Sequence, residues 1–431
     1  MQTILVKNLN QHLGEQVVIK GWVRNIRFSG KLIFIIFRDG TGEVQCVAFK
    51  NDLTEEQFAV AKSLTIESSL IITGVPKKHE KLENTFELQI NDIKLIQLAI
   101  DYPIAKKDHG ADFLLENRHL WLRSTKQHAI MKIRHTCYFA ICDYLNENGF
   151  YRFDSPILTP NACEGSTTLF ELQYFDEGKA FLSQSGQLYL EAGIMSLGRV
   201  YDFGPVFRAE KSKTRKHLTE FWMMDAEAAF VEHEENMQIQ EGLIRHVIKS
   251  VLKYNKQELE TLERNIEKLE LCDAPFKRMT HREAIEFLQN KGVNIGFEDD
   301  FGAADEAALT EGLEVPLFIE KWPKAIKAFY MKRDSEDPNL VLGADLLAPE
   351  GFGEIIGGSQ REDDYEILKD RMLENKMDLE PLSWFLDLRK YGTVPHSGFG
   401  IGLERLVAWM SGTSHIRETI PFPRMIYRIY P

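Results

Sequence analysis

Residues 1–98 carry their apolar side chains in short runs, VVIKGWV, LIFIIF, EVQCVAF, SLIITGV and FELQINDIKLI. Turn signals at Ser29-Gly30 and at Asp39-Gly40-Thr41-Gly42 separate them, so each run is predicted to be a strand. Residues 99–123 change character: DYPIAKKDHG followed by ENRHLWLR predicts a connector marked by Pro and Gly. From Gln127 to Asn148 apolar positions recur at helical spacing and stop at Gly149, the pattern of an amphipathic helix with a glycine terminus. FYRFDSPILTP then predicts a strand ending at proline, and the charge-rich residues 232–291 predict helices whose charges form a solvated face. Three strand-like stretches follow, VPLFIEKWPKAIKAFYMK, NLVLGADLLAPEGFGEIIGGSQRE and PHSGFGIG. Strands interleaved with helices over long connections predict an α+β domain, an antiparallel sheet flanked by helices, over residues 124–431. A dinucleotide-binding α/β fold fits poorly, because no G-x-G-x-x-G leads from an early strand into a helix and Gly357-Gly358 lies inside a strand-like run.

The spacing of the first five strands predicts a small closed β-barrel, an OB-fold over residues 1–98. Such barrels bind single-stranded nucleic acid by stacking bases on aromatics over a charged face. Phe34 and Phe37 stand an odd number of positions apart, so one faces the core and the other is a candidate surface aromatic. Lys20, Arg24, Arg27, Lys31 and Arg38 lay a basic strip over the same segment. The net charge of −13 argues against indiscriminate coating of nucleic acid, leaving local docking as the expectation. With 431 residues, 44% hydrophobic and 27% charged, the composition is that of a soluble enzyme of two or three domains. No apolar run reaches membrane-spanning length and the first residues lack a signal-peptide layout, so a cytoplasmic protein without membrane contact is expected. Five cysteines with no CxxC pair point to buried thiols rather than a disulfide framework or a zinc site.

Two stretches carry the chemistry. SGFGIGLERLVAW, from Ser397, places glycine at every second position of a strand and opens into a helix with Arg405 in its first turn. Such a junction suits nucleotide phosphates. VFRAEKSKTRKHLTEFWMMDAEAAF, from Val206, sets an Arg and a Glu ahead of a basic loop. Together they resemble the third and second signatures of class II aminoacyl-tRNA synthetases of the aspartate/asparagine/lysine subgroup, and the chain is most similar to the asparagine branch. The resemblance runs from GWVRNIRFSGKLIFIIFRDGTGEVQ to IRETIPFPR, and the helix from Gln127 with its following strand is similar to the first signature.

What the resemblance implies is specific. Activation is attack of an amino-acid carboxylate on the α-phosphate of ATP, which requires positioning and charge neutralisation rather than a protein nucleophile. Arg208 would bridge the α-phosphate and the carboxylate through its forked donors, and Glu210 would read the adenine amino group. Arg215 and His217 would contact the outer phosphates, Phe221 and Arg405 would sandwich adenine above Gly402, and Asp345 with Glu354 would hold Mg²⁺. Glu164, helped by Gln187, would take the α-ammonium, and Arg361 the side-chain oxygen. In the barrel, Phe34 and Gln45 match the family's anticodon pair, with Arg24 and Arg27 on the same strip. The first signature implies a homodimer; asparagine and tRNA(Asn) are the implied partners.

Selectivity turns on two positions. Leu190 stands where aspartate enzymes carry a Lys, which removes a cation, whereas Asp225 stands where the asparagine branch has Glu, as aspartate enzymes do. The alternatives are an aspartyl-tRNA synthetase, possessing either strict or dual tRNA specificity, a paralogue making free asparagine, and a non-catalytic tRNA-binding protein. Retention of Arg208, Glu210, Phe221, Glu354 and Arg405 speaks for activity.

Overall fold

The computed structural model describes residues 2–79, 85–160, 169–211 and 214–431. It divides into two compact units, residues 1–109 and 110–431.

In the first unit β1 (Gln2–Thr3), β2 (Val17–Ser29), β3 (Leu32–Arg38), β4 (Glu43–Phe49), β5 (Ser69–Lys78) and β6 (Phe86–Gln97) pair in the order β1-β2-β3-β4-β6-β5, and a β2–β5 pairing closes the barrel. The alternation along β3 explains its sequence: Ile33, Ile35 and Phe37 fill the core while Phe34 and Ile36 face outward, half-buried. A helix absent from the sequence expectation, α1 (Glu55–Ser63), lies between β4 and β5. Thr54 caps it with a reciprocal Thr54–Gln57 box, and Phe58 and Ala61 seal one end of the barrel core.

The second unit opens earlier than expected, with α2 (Ala111–Glu116) and α3 (Arg118–Trp121), so the latter half of the predicted connector belongs to it. Arg118 explains why. Its buried guanidinium donates to the carbonyls of Glu418, Ile420 and Pro421 and to Gln127 Oε1, tying this segment to IRETIPFP. After α4 (Thr125–Glu147) come β7 (Tyr151–Arg152), β8 (Leu158–Thr159), β9 (Glu171–Gln173), β10 (Lys179–Leu182), α5 (Gln187–Leu197), β11 (Arg199–Phe207) and β12 (Glu220–Ala229). A helical stretch holds α6 (His233–Tyr254), α7 (Lys256–Thr261) and α8 (Ile266–Glu270), then β13 (Lys277–Thr280), α9 (His281–Asn290) and α10 (Ala303–Thr310). The chain continues through β14 (Leu317–Pro323), β15 (Leu340–Ala348), β16 (Gly353–Gln360), α11 (Tyr365–Glu374), α12 (Ser383–Lys390), β17 (His396–Gly402) and α13 (Leu403–Ser411).

Among the described residues the main sheet runs β13-β14-β15-β16-β17-β12-β11-β7, antiparallel except at its two edge pairs, β13–β14 and β7–β11. Its back face carries Phe203, Met224, Ala226, Leu346, Ile356, Phe399 and Ile401, packed against apolar faces of α4, α6 and α13. The solvated charged face expected of residues 232–291 is present on α6. Its charges do face solvent, but Met237, Leu243, Ile244, Val247 and Val251 make it a main support of the sheet.

Candidate active site

The front face of the sheet is built on one register line. Asp345 of β15, Gly357 of β16, Gly400 of β17, Asp225 of β12 and Asp202 of β11 are successive cross-strand partners. With strands about 4.8 Å apart, the two glycines leave a trough roughly 14 Å across between Asp345 and Asp225. It forms the floor of a cavity of about 390 Å³.

The alternating glycines of β17 have different tasks. A Cβ on Gly398 would lie 2.0 Å from Glu227 Oε1, and one on Gly400 would lie 2.5 Å from Asp225 Oδ1. Those two glycines make room for acidic side chains of the neighbouring strand. Gly402 has no heavy atom within 4 Å of its would-be Cβ and opens onto the cavity, as a slot for a flat ligand requires. Gly357 is flanked by both expected metal ligands: a Cβ there would lie 3.2 Å from Glu354 Oε1 and 3.8 Å from Asp345 Oδ1.

At one end of the cavity Arg208, Glu210, His217, Phe221, Glu354, Gly402 and Arg405 come together as expected. β11 stops at Phe207, so Arg208 and Glu210 share a side of an irregular segment rather than a strand face. The Arg208 guanidinium lies 5.8 Å from the Phe221 ring centre. Arg405 donates to the Glu354 carbonyl at 2.9 Å and to its Oε2 at 3.3 Å. His217, bonded to Thr214, is pushed down from the ordinary histidine value by desolvation and by the charges of Arg405 and Arg208. Arg215 departs from expectation: its side chain is exposed and lies outside the cavity lining, while its carbonyl accepts from Ile416 N–H.

At the other end Gln187, Asp225 and Arg361 line the wall. Asp225 Oδ2 accepts from Ser185 Oγ at 2.8 Å and from Gly186 N–H at 2.9 Å. Arg361 makes a buried two-pronged pair with Glu227, at 2.5 and 3.2 Å, and donates to Ser359 Oγ. Burial pushes the Glu227 carboxyl up while Arg361 pulls it back; Arg361 stays charged. Behind this wall, Gln187 donates to Glu191, whose other oxygen takes Arg389 at 2.5 Å and His396 at 3.2 Å. With Arg389 alongside, the fully buried Glu191 carboxyl is held down at about 2. Asp202, beneath Asp225, is pushed up to about 8 by burial and by the Asp225 charge.

Leu190 is a correction. Its side chain is fully buried with Ile194, Val200 and Phe153 and does not line the cavity, because its position on α5 points it into that small apolar cluster. The charged side chains at this end of the cavity are Asp225 and Arg361, with Glu227 buried behind Arg361. Glu164 lies outside the described residues. Sequence reasoning missed Glu227, although it stands two residues after Asp225 and so shares its strand face. It also missed Lys327, whose Nζ is 2.6 Å from Asp345 Oδ2, and the Lys216–Glu306 pair at 3.2 Å beside Glu354. No local pattern marks these lysines as different from solvated ones.

Asp345 and Glu354 suit a divalent ion by donor chemistry, two carboxylates turned toward one glycine. Burial and the neighbouring Glu354 charge push Asp345 up to about 6 against the opposing pull of Lys327, a site that a cation would relieve. No cluster of three or more metal-type ligands occurs among the described residues, so remaining ligands would come from phosphate and water.

In the barrel, Phe34 and Gln45 face outward from β3 and β4, and the Arg27 guanidinium lies 4.9 Å from the Phe34 ring centre. Gln45 Nε2 donates to Glu87 at 3.4 Å, and Arg24 stands 3.7 Å from Glu43.

The family model described as "tRNA synthetases class II (D, K and N)" matches residues 110–426, and one described as "OB-fold nucleic acid binding domain" matches residues 17–96. The chain belongs to the class II tRNA synthetases of the D, K and N group. It is 52% identical to the asparagine--tRNA ligase of Pelotomaculum thermopropionicum over 431 residues, all of both chains. Its structure is similar to that of asparaginyl-tRNA synthetase from Pyrococcus horikoshii complexed with asparaginyl-adenylate, with a TM-score of 0.96, 45% identity and 99% of each chain covered. The Entamoeba histolytica asparaginyl-tRNA synthetase in complex with asparaginyl-adenylate follows at a TM-score of 0.90, 34% identity, 100% of this chain and 99% of that one. The stretches that begin at Val206 and Ser397 lie side by side in the sheet, through the β12–β17 pair. Among the described residues no helix is long and apolar enough to cross a membrane.

Proposed function

We propose that the chain ligates asparagine to tRNA(Asn) in the cytosol, through an asparaginyl-adenylate. The observation that carries asparagine over aspartate is the pairing of Arg361 with Glu227 beside Asp225. A neutral carboxamide can accept from Arg361 and donate to Asp225, the carboxylate that lines the cavity. An aspartate side chain would bring another anion to a cation already engaged. Burying an incompletely paired charge costs several kcal/mol, roughly a hundredfold or more in discrimination. The full-length likeness to asparagine--tRNA ligases supports the same reading.

In the first step the amino-acid carboxylate attacks the α-phosphorus of ATP and pyrophosphate leaves; in the second the terminal hydroxyl of tRNA attacks the activated carbonyl and AMP leaves. Arg208 aligns carboxylate and α-phosphate, and Glu210 accepts from the adenine amino group. Phe221 and Arg405 take the two faces of adenine over Gly402, and His217 offers a donor to the outer phosphates. Mg²⁺, held by Asp345 and Glu354, would neutralise phosphate charge. In the barrel, Phe34 stacks on an anticodon base, Gln45 reads a base edge, and Arg24 and Arg27 meet the backbone. The exposed Phe139 of α4 and Tyr151 of β7 support a homodimer, testable by sedimentation velocity.

The deciding experiment is ATP–pyrophosphate exchange with asparagine and with aspartate at equal concentration around neutral pH. Asparagine should be favoured about a hundredfold. Comparable rates would overturn the assignment and favour an aspartyl enzyme.

A further inference from the structure

Lys327 stands where no sequence motif placed a functional residue. It belongs to the segment 324–331 that follows β14 along the cavity wall, and Arg371 of α11 clamps that segment. The Arg371 guanidinium donates to the carbonyls of Lys324 at 3.1 Å, Lys327 at 3.2 Å and Ala328 at 3.4 Å. The lysine is aimed as well as anchored: its ammonium lies 3.6 Å from the centre of the Trp322 ring, and that indole is fixed by its own bond to the Ile319 carbonyl. Thus directed, Nζ meets Asp345 Oδ2 at 2.6 Å, with both side chains largely buried.

One carboxylate therefore has two cationic claimants. A divalent ion that approaches Asp345 and Glu354 alone must displace the ammonium and leave it poorly paired in a buried place, with Asp300 as the nearest remaining acid lining the cavity. An ion arriving with nucleotide brings polyphosphate oxygens, which give the ammonium another anionic partner. We propose that Lys327 occupies Asp345 until nucleotide arrives, making divalent-ion binding depend on nucleotide and serving as a further phosphate-binding residue. The inference rests on the reading that Asp345 and Glu354 hold the metal.

The test uses Mn²⁺ as probe, with water-proton relaxation to separate enzyme-bound ion from ion held by free nucleotide. Titrations run with and without α,β-methylene ATP, on the parent chain and on Lys327→Met, Lys327→Arg and Asp345→Asn. The parent should bind Mn²⁺ at least about tenfold more tightly when the analogue is present. Lys327→Met should bind Mn²⁺ alone about tenfold more tightly than the parent, with a smaller gain from nucleotide. Lys327→Arg, which keeps the ion pair, should resemble the parent. Parent-like affinity of Lys327→Met for Mn²⁺ alone would overturn the inference, as would a parent whose affinity ignores nucleotide. Should Asp345→Asn bind Mn²⁺ as the parent does, the metal assignment itself would fall, a separate outcome.

Discussion

Three glycine-to-alanine changes on β17 add the same methyl group and should give three different phenotypes. At Gly398 the methyl would lie 2.0 Å from Glu227 Oε1 and 2.4 Å from the Ala226 carbonyl oxygen. The carbonyl is main chain in a paired strand and cannot rotate away, so overpacking of about 1–3 kcal/mol is the minimum cost. Displacing Glu227 also breaks its buried pair with Arg361, typically about 3–5 kcal/mol when one partner is lost. Taking roughly 4–8 kcal/mol together, at about 2 °C per kcal/mol for a unit of this size, the melting temperature should drop by around 8–16 °C. At Gly400 the obstruction is Asp225 Oδ1 at 2.5 Å, the end of a side chain whose other oxygen is held by Ser185 and Gly186. A loss of about 1–3 kcal/mol should accompany a raised KM for asparagine. Gly402→Ala meets nothing within 4 Å and should melt with the parent, but it narrows the nucleotide slot and should raise the KM for ATP. Thermal melts and pyrophosphate exchange at varied ATP and asparagine read out all three. If Gly398→Ala melted within a degree or so of Gly402→Ala, the account of β17 as a strand shaped around its neighbour's acids would be wrong.

Arg208→Ala and Arg405→Ala should each lower exchange by ~10²-fold or more without lowering the melting temperature, and near-normal exchange in either would remove it from the catalytic machinery. Phe34→Ala should activate asparagine normally while losing tRNA charging by about 1–3 kcal/mol in kcat/KM, and an equal fall in both activities would make Phe34 a structural residue. Asp202, held at about 8, keeps a proton that the unfolded chain releases near pH 4, so stability falls as pH rises between these values. Asp202→Asn, which mimics the protonated form, should flatten that slope in melts from about pH 5 to 8, and an unchanged slope would refute the proton assignment.

The barrel was legible because each strand displays its two faces as a period-two pattern, and β3 states it without interruption. That Arg208, Glu210, His217, Phe221, Gly402 and Arg405 line one cavity was legible because they sit in two continuous stretches. The pairing of Arg361 with Glu227 was not, because these residues stand 134 positions apart and belong to opposite sides of β17, which lies between β16 and β12. Leu190 misled because correspondence in sequence does not say which way a helix turns its side chains, and α5 turns this one into Ile194 and Val200. In residues 232–291 the charged face was legible, whereas the apolar stripe beneath it is exposed only by a helical count, as Leu243, Val247 and Val251 show.

The strand order carries a consequence for biosynthesis. β17 lies between β16 and β12, yet follows every other strand of its sheet along the chain. A nascent chain that has emerged as far as α12 therefore holds two open strand edges in the middle of what will become one sheet, with the apolar back face of each half already made. Such edges are templates for pairing with another copy. The barrel carries no such debt, since its strands all come from the first 97 residues and close on one another. Ribosomes that stall before residue 396 should thus release a folded barrel tethered to an unsealed, association-prone sheet, making the glycine-rich strand a checkpoint for translation as well as a floor for the ligand.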